Sequence, residues 1–111
     1  MTLQPGEIVL IRMQFHQAAG AKVRPAVVLL DTGDNDFVAA PITSKSRSSE
    51  FDLALSEWQQ AGLNVASTIR LHKLTALAKI DVARRIGVLS ASDRARLFEL
   101  LSRMFSGNAL R

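Results

Sequence analysis

Two apolar runs, Val23-Arg24-Pro25-Ala26-Val27-Val28-Leu29-Leu30 and Phe37-Val38-Ala39-Ala40-Pro41-Ile42, flank the polar cluster Asp31-Thr32-Gly33-Asp34-Asn35-Asp36, and their reading decides the fold. Asp, Asn and Gly favour turns because their side chains bond the local backbone or leave it unrestricted. β-Branched runs joined by such a cluster form a hairpin. Pro25 has no N–H to give a ladder, which places it at the strand's first positions or on an edge. In an antiparallel hairpin the start of one strand lies beside the end of the other, so Arg24 and Thr43 are expected neighbours.

Working outward, Pro5-Gly6 punctuates the start and Glu7–Phe15 reads as a strand with both faces partly buried. Gln17–Lys22 is expected as a loop, with His16 at its edge as a scaffold residue. Thr43–Glu50 is polar and Ser-rich, carries Lys45 and Arg47, and reads as a mobile loop. Phe51–Leu55 is a short strand, and Ser56–Ala61 a single helical turn stopped by Gly62, with Trp58 packed against the body. Ala66–Leu71 alternates as a strand, and Thr75–Lys79 continues the sheet or pairs beside it. Val82–Val88 is left open between strand and loop.

Ser90-Ala91-Ser92-Asp93 has the pattern of a capping box. Beyond it Leu97, Leu101, Met104 and Phe105, widened by Phe98 and Leu100, make the apolar stripe of a helix ended by Ser106-Gly107. Several short strands followed by one helix define a β-rich α+β domain, a small curled sheet or barrel with a C-terminal α-helix. A chain of 111 residues has the length of a single domain, taken as residues 1–111.

Without cysteine the chain has no disulfide, no thiolate zinc ligand and no thiol nucleophile. Its longest apolar runs, such as Pro25–Leu30, are too short to span a bilayer. No basic-then-apolar signal segment is seen, and the expected location is the cytoplasm. Basic residues outnumber acidic ones 14 to 10, and arginine dominates them. Its planar fork suits phosphate, so the charge points to a nucleic acid or an acidic protein segment, or serves solubility alone.

His16 and His72 lie far apart with no metal-ligand spacing, and neither a phosphate loop nor a nucleophile elbow is present. No metal and no cofactor are expected. Chemistry in this chain would fall to Arg, His and hydroxyl groups. Metal-free RNA cleavage needs only these: the substrate's own 2′-hydroxyl attacks phosphorus, while the protein moves protons and neutralises phosphate charge. The candidate residues are Lys22 and Arg24, then Thr43-Ser44-Lys45, and Arg70 with His72.

The runs Pro5–Leu10, Lys22–Leu29, Ala40–Ser44, Ser67–Leu71 with Lys73-Leu74, and Ile86–Ser90 together resemble the MazF/PemK toxins in order and spacing. The resemblance spans Pro5 to Phe105. It implies an SH3-like plasmid-maintenance-toxin barrel, a homodimer, and metal-independent cleavage of single-stranded mRNA at short motifs, leaving 2′,3′-cyclic phosphate and 5′-hydroxyl ends. It also implies a cognate antitoxin whose extended tail blocks the site. By the family's pattern Arg24 is the catalytic arginine and Thr43 its partner at the scissile phosphate. Lys22, Ser44, Lys45, Arg70 and His72 are then RNA-contacting. Some relatives carry Asp two residues after the arginine that corresponds to Arg70; His72 stands there instead, which leaves the general base unassigned. Two alternatives share the fold: a toxin that inhibits DNA gyrase without cutting RNA, and a catalytically silent RNA-binding barrel.

Overall fold

The computed structural model describes residues 1–14 and 21–107. His16, Phe15 and the first loop's residues 17–20 therefore lie outside the described residues. The strands are β1 (Glu7–Gln14), β2 (Ala21–Asp31), β3 (Asp36–Thr43), β4 (Asp52–Ala54), β5 (Thr68–Arg70), β6 (Thr75–Ala78) and β7 (Val82–Val88), and one helix, α1, spans Ala91–Phe105. They form a seven-stranded antiparallel sheet ordered β4-β5-β3-β2-β1-β7, with β6 also on β3. The expected β-rich domain with a C-terminal helix is what the chain adopts.

The hairpin forms the centre. Ala26 pairs with Pro41 and Val28 with Ala39, and a register shift beyond Val28 sets Asp31 against Phe37. Alternation sends Val27, Leu29, Ala40 and Ile42 to one face with Ile8, Ile69 and the helix residues Leu97 and Leu100. Ala26, Val28, Phe37 and Ala39 face the other way, with Leu3, Val9 and Ile11. Both faces of the central strands are therefore covered, as their near-continuous apolar sequence requires.

β3 belongs to two ladders. Its first residues, Asp36 to Ala39, pair with β6, whereas Ile42 and Thr43 pair with Ile69 and Thr68 of β5. The three-residue turn Leu71–Lys73 between β5 and β6 makes the division, and on the opposite edge of β3 two prolines end the ladder to β2. Pro41 has no N–H, so its pair with Ala26 is of the non-hydrogen-bonded kind. The next pair would need an N–H from Pro25, which has none. The β2–β3 ladder stops there. Pro25 thus sits inside β2 rather than at its start, where the ladder to β3 has ended.

Several boundaries differ from the sequence reading. Ala21 and Lys22 already belong to β2, paired with Gln14 and Met13, because β1 runs long enough to continue the ladder. The strand expected over Ala66–Leu71 is only Thr68–Arg70, followed by a 3-10 turn over Leu71–Lys73. Val82–Val88 is a full strand on β1. Residues 46–48 between β3 and β4 have no regular structure and are exposed.

β4 and β7, at the two ends of the sheet path, are bridged by the turn after β4. There Ala61 and Gly62 donate to the carbonyls of Glu57 and Gln59, and Trp58 packs on the core. Gly62 adopts φ +92°, and a Cβ at that position would fall 2.3 Å from the Ile86 carbonyl oxygen. A Cβ at Gly87 would fall 2.2 Å from the Ala61 carbonyl oxygen. Two backbones meet here with no room for a side chain. Gly87→Ala is expected to destabilise by about 2 kcal/mol through overpacking, a fall in thermal midpoint of order 10 °C. A midpoint within about 2 °C of wild type would show that the turn can retreat at little cost.

Helix α1 begins as expected, with the Ser90 hydroxyl accepting the Asp93 amide at 3.1 Å. The second half of the capping box is different. The Asp93 carboxylate turns to the β4 side and accepts from the Ser56 amide (3.2 Å), the Ser56 hydroxyl (2.8 Å) and the Glu57 amide (2.9 Å), with Arg96 at 2.8 Å. Leu97 and Leu100 are buried, whereas Phe105 is 72% exposed and lies outside the packed stripe.

Candidate nucleic-acid interface

Where β2 and β3 part, a cleft of about 520 Å³ opens. Continuing the Ala26–Pro41 register by two residues sets Arg24 level with Thr43 across the gap, and both line it. The neighbourhood expected from the hairpin is realised, with one difference: the two residues are separated by an opening instead of joined by a ladder. Ser44 and Lys45 line the same cleft, as do Asn64, Ser67 and Arg84. Leu10, Ile42 and Ile86 give it apolar surface.

Each lining group is placed by its local chain. Thr43 is partly buried, fixed on one side by its pair with Thr68. Its Oγ1 accepts the Lys45 amide at 3.1 Å, a turn that Thr commonly makes. A hydroxyl that accepts in this way still has its own proton to donate. Arg24 is exposed and makes no hydrogen bond or ion pair among the described residues. Ser67 is buried and donates to the Val65 carbonyl at 2.8 Å, which shapes the 63–67 segment into the facing wall.

The cleft lining holds three cations, Arg24, Lys45 and Arg84, and no carboxylate. None of the three is in an ion pair among the described residues, whereas four other cations are: Arg70, Lys79, Arg85 and Arg96. Concentrated, uncompensated positive charge in a concave surface focuses an attractive field on anions.

The remaining sequence candidates fall elsewhere. Arg70 does not line the cleft: its Nε donates to Asp52 Oδ1 at 3.0 Å, and the Asp52 side chain is almost wholly buried. His72 is exposed in the 3-10 turn, 3.4 Å from the Arg70 guanidinium and with its ring centroid 5.8 Å from that of Phe51. It too is outside the cleft lining. Lys22 is exposed on β2, level with Met13. The cleft therefore unites Arg24, Thr43, Ser44 and Lys45 but not Arg70, His72 or Lys22. Arg84, Asn64 and Ser67 escaped the sequence reading. For Arg84 the available signal was the doublet Arg84-Arg85, which in any strand puts one arginine on each face.

Behind Arg24 and Pro25 lies an apolar groove of about 240 Å³, which Ile11, Met13, Ala26, Ala39 and Leu77 help to line. Arg24 borders both this groove and the cleft. Among the described residues no three His, Cys, Asp or Glu side chains converge as a metal-binding group. No described helix is long and apolar enough to cross a membrane.

The curled antiparallel sheet, its terminal helix and a cationic cleft define a small β-domain with one end helix. The chain belongs to the family of PemK-like, MazF-like toxins of type II toxin–antitoxin systems, which it matches over residues 4–105. It is similar in fold to the Mycobacterium tuberculosis toxin MazF-mt6, at 23% identity and a TM-score of 0.72, covering 90% of this chain and 96% of that one. A MazE-MazF crystal structure from Deinococcus radiodurans matches at 18% identity and a TM-score of 0.75, covering 94% and 96%. A mycobacterial endoribonuclease in complex with its cognate antitoxin matches at 12% identity and a TM-score of 0.72, covering 95% and 96%. At these identities the likeness is one of fold. A search of curated proteins by sequence gives no match.

Proposed function

We propose that this toxin is an endoribonuclease that cuts single-stranded mRNA in the cleft between β2 and β3, without a metal. The observation that carries the reading is the lining of that cleft: three unpaired cations, no carboxylate, and Thr43 level with Arg24. RNA lays its backbone along such a surface because phosphates are what it attracts.

In the proposed reaction the 2′-hydroxyl of the nucleotide before the cut attacks phosphorus. A bond forms from O2′ to phosphorus as the 2′-hydroxyl proton passes to solvent water, the bond from phosphorus to O5′ breaks, and the departing oxygen takes a proton. The products are a 2′,3′-cyclic phosphate and a 5′-hydroxyl. Arg24 donates to the non-bridging oxygens as charge builds on them, and passes to the leaving oxygen a proton that solvent water returns to it. Thr43 donates its hydroxyl proton to the same phosphate, its oxygen already held by the Lys45 amide. Ser44 and Lys45 bind the flanking backbone. The described lining contains no imidazole or carboxylate to receive the 2′-hydroxyl proton, and Arg70, His72 and Lys22 would meet RNA only beyond the cleft.

The charge in this scheme comes from side chains, so cleavage of a defined RNA is expected to proceed in EDTA. Mapping should find cyclic phosphate and 5′-hydroxyl ends. A requirement for Mg²⁺, or 5′-phosphate ends, would overturn it. The proposal includes a cytoplasmic, single-domain protein over residues 1–111 that pairs as a homodimer. It also includes a cognate antitoxin whose acidic tail competes for the cationic cleft.

A further inference from the structure

We propose that Arg84 is a second phosphate-binding residue of the cleft, holding the backbone beside the nucleotide that Arg24 acts on. The inference rests on RNA being the occupant of the cleft, and adds where its chain runs.

Adjacent residues on a strand point to opposite faces, and Arg84 and Arg85 on β7 have opposite fates. Arg85 donates from both Nε and Nη2 to the buried Glu7 carboxylate, with Nη2 at 3.0 Å from Oε1. That bidentate pair fixes the strand against β1. Arg84 is exposed, lines the cleft and has no hydrogen-bond or ion-pair partner among the described residues. An arginine without a partner in a concave lining that lacks carboxylates has only an incoming anion to pair with.

Its register fixes its distance from the proposed centre. Leu10 on β1 is level with Arg84 on one side and with Pro25 on the other. Strands are about 4.8 Å apart, so Arg84 stands roughly 10 Å along the sheet from the residue next to Arg24. Pro25, Leu10 and Arg84 share one face of the sheet and Arg24 turns to the other, so the two arginines border the cleft from different sides and suit different phosphates of one strand. Leu10 and Ile86, between and beside them, leave an apolar floor for the sugar that links those phosphates. Arg84 is thus a positioning residue that binds substrate without entering the bond-making step.

The test measures binding without turnover. A fluorescein-labelled, fully 2′-O-methylated RNA of random sequence cannot be cut and reports phosphate contacts by anisotropy. Arg84→Gln is expected to weaken binding several-fold and to lower the slope of log affinity against log salt by about 0.7, the value for one single-strand phosphate. Arg84→Lys should restore most of the slope, since a point charge is enough to hold a phosphate. Arg103→Gln, which removes the same charge on α1 outside the cleft, should leave the slope unchanged. With cleavable RNA, Arg84→Gln should raise KM and leave kcat nearly intact. An unchanged slope in Arg84→Gln, or an equal loss in Arg103→Gln, would overturn the inference while RNA cleavage still stood. A wild-type protein that bound no RNA would instead overturn the proposed function, and this inference with it.

Discussion

Replacing Arg24 with Ala is expected to reduce RNA cleavage by roughly a thousandfold, the scale on which loss of one preorganised donor to a developing charge is felt. The thermal midpoint should stay within about 2 °C of wild type, since side chains without structural partners rarely carry stability. The structural basis is that Arg24 is exposed and unpaired among the described residues, on a strand whose packing is carried by Val27, Val28 and Leu29. Arg24→Lys should recover only a small part of the activity, because it keeps the charge and loses the planar fork. The measurement is single-turnover cleavage beside a melting curve. Full activity in a folded Arg24→Ala protein would remove Arg24 from the chemistry.

The second large effect is structural. Asp93 is fully buried and receives bonds from Ser56, Glu57 and Arg96, which tie the start of α1 to the turn after β4. Asp93→Ala leaves two backbone amides and a hydroxyl without their acceptor, at about 3 kcal/mol or more. That corresponds to a fall in thermal midpoint of order 15 °C. Burial pushes the Asp93 carboxyl upward, but the Glu57 and Ser56 donors and Arg96 outweigh it, and the net pKa is below the ordinary carboxylate value. A depressed folded-state pKa gives stability that is complete above about pH 4, where the unfolded Asp is ionised, and is lost as pH falls further. Wild type should therefore lose stability on acidification below that value, and Asp93→Ala should lose less of it. Parallel acid profiles for the two proteins would show that another carboxylate governs the loss.

Much of this architecture could be read from local chemistry. The β2–β3 hairpin was legible because its turn residues and apolar runs agree, and α1 because its cap, stripe and stop agree. That Arg24 and Thr43 are neighbours followed from hairpin geometry, whereas their roles came from the family resemblance, and neither showed the opening between them. That opening depends on two missing N–H groups, at Pro25 and Pro41, acting on the same ladder. Arg70 and His72 looked like site residues because metal-free chemistry would fall to Arg and His, and because some relatives carry an arginine and an aspartate at this spacing. What a sequence does not show is that Asp52, eighteen positions earlier, stands across β4 and takes Arg70 into an ion pair. Arg84 was missed for the converse reason: only the register with Glu7 decides which arginine of the doublet is consumed. Asp93 was read as a cap by its spacing, which is right for its amide and not for its carboxylate. The shortness of β5 reflects tertiary competition, as its partners β3 and β4 offer only two and three residues to pair with.

The parting of β2 and β3 gives the cleft two walls of different origin. One wall, with Leu10, Arg24, Pro25, Arg84 and Ile86, belongs to the paired strands β1, β2 and β7. The other, with Ser44, Lys45, Asn64, Val65 and Ser67, comes from the stretch around β4 and the start of β5. The first wall is carried on laddered backbone that holds its side chains in fixed register, while the second rests on loop segments that can change without breaking a ladder. Under the proposed function, the residue that acts on the phosphate sits on the fixed wall, while the loop wall beside it is open to drift over evolutionary time. Descendants of one ancestral toxin could acquire new target words without rebuilding the machinery that cleaves them.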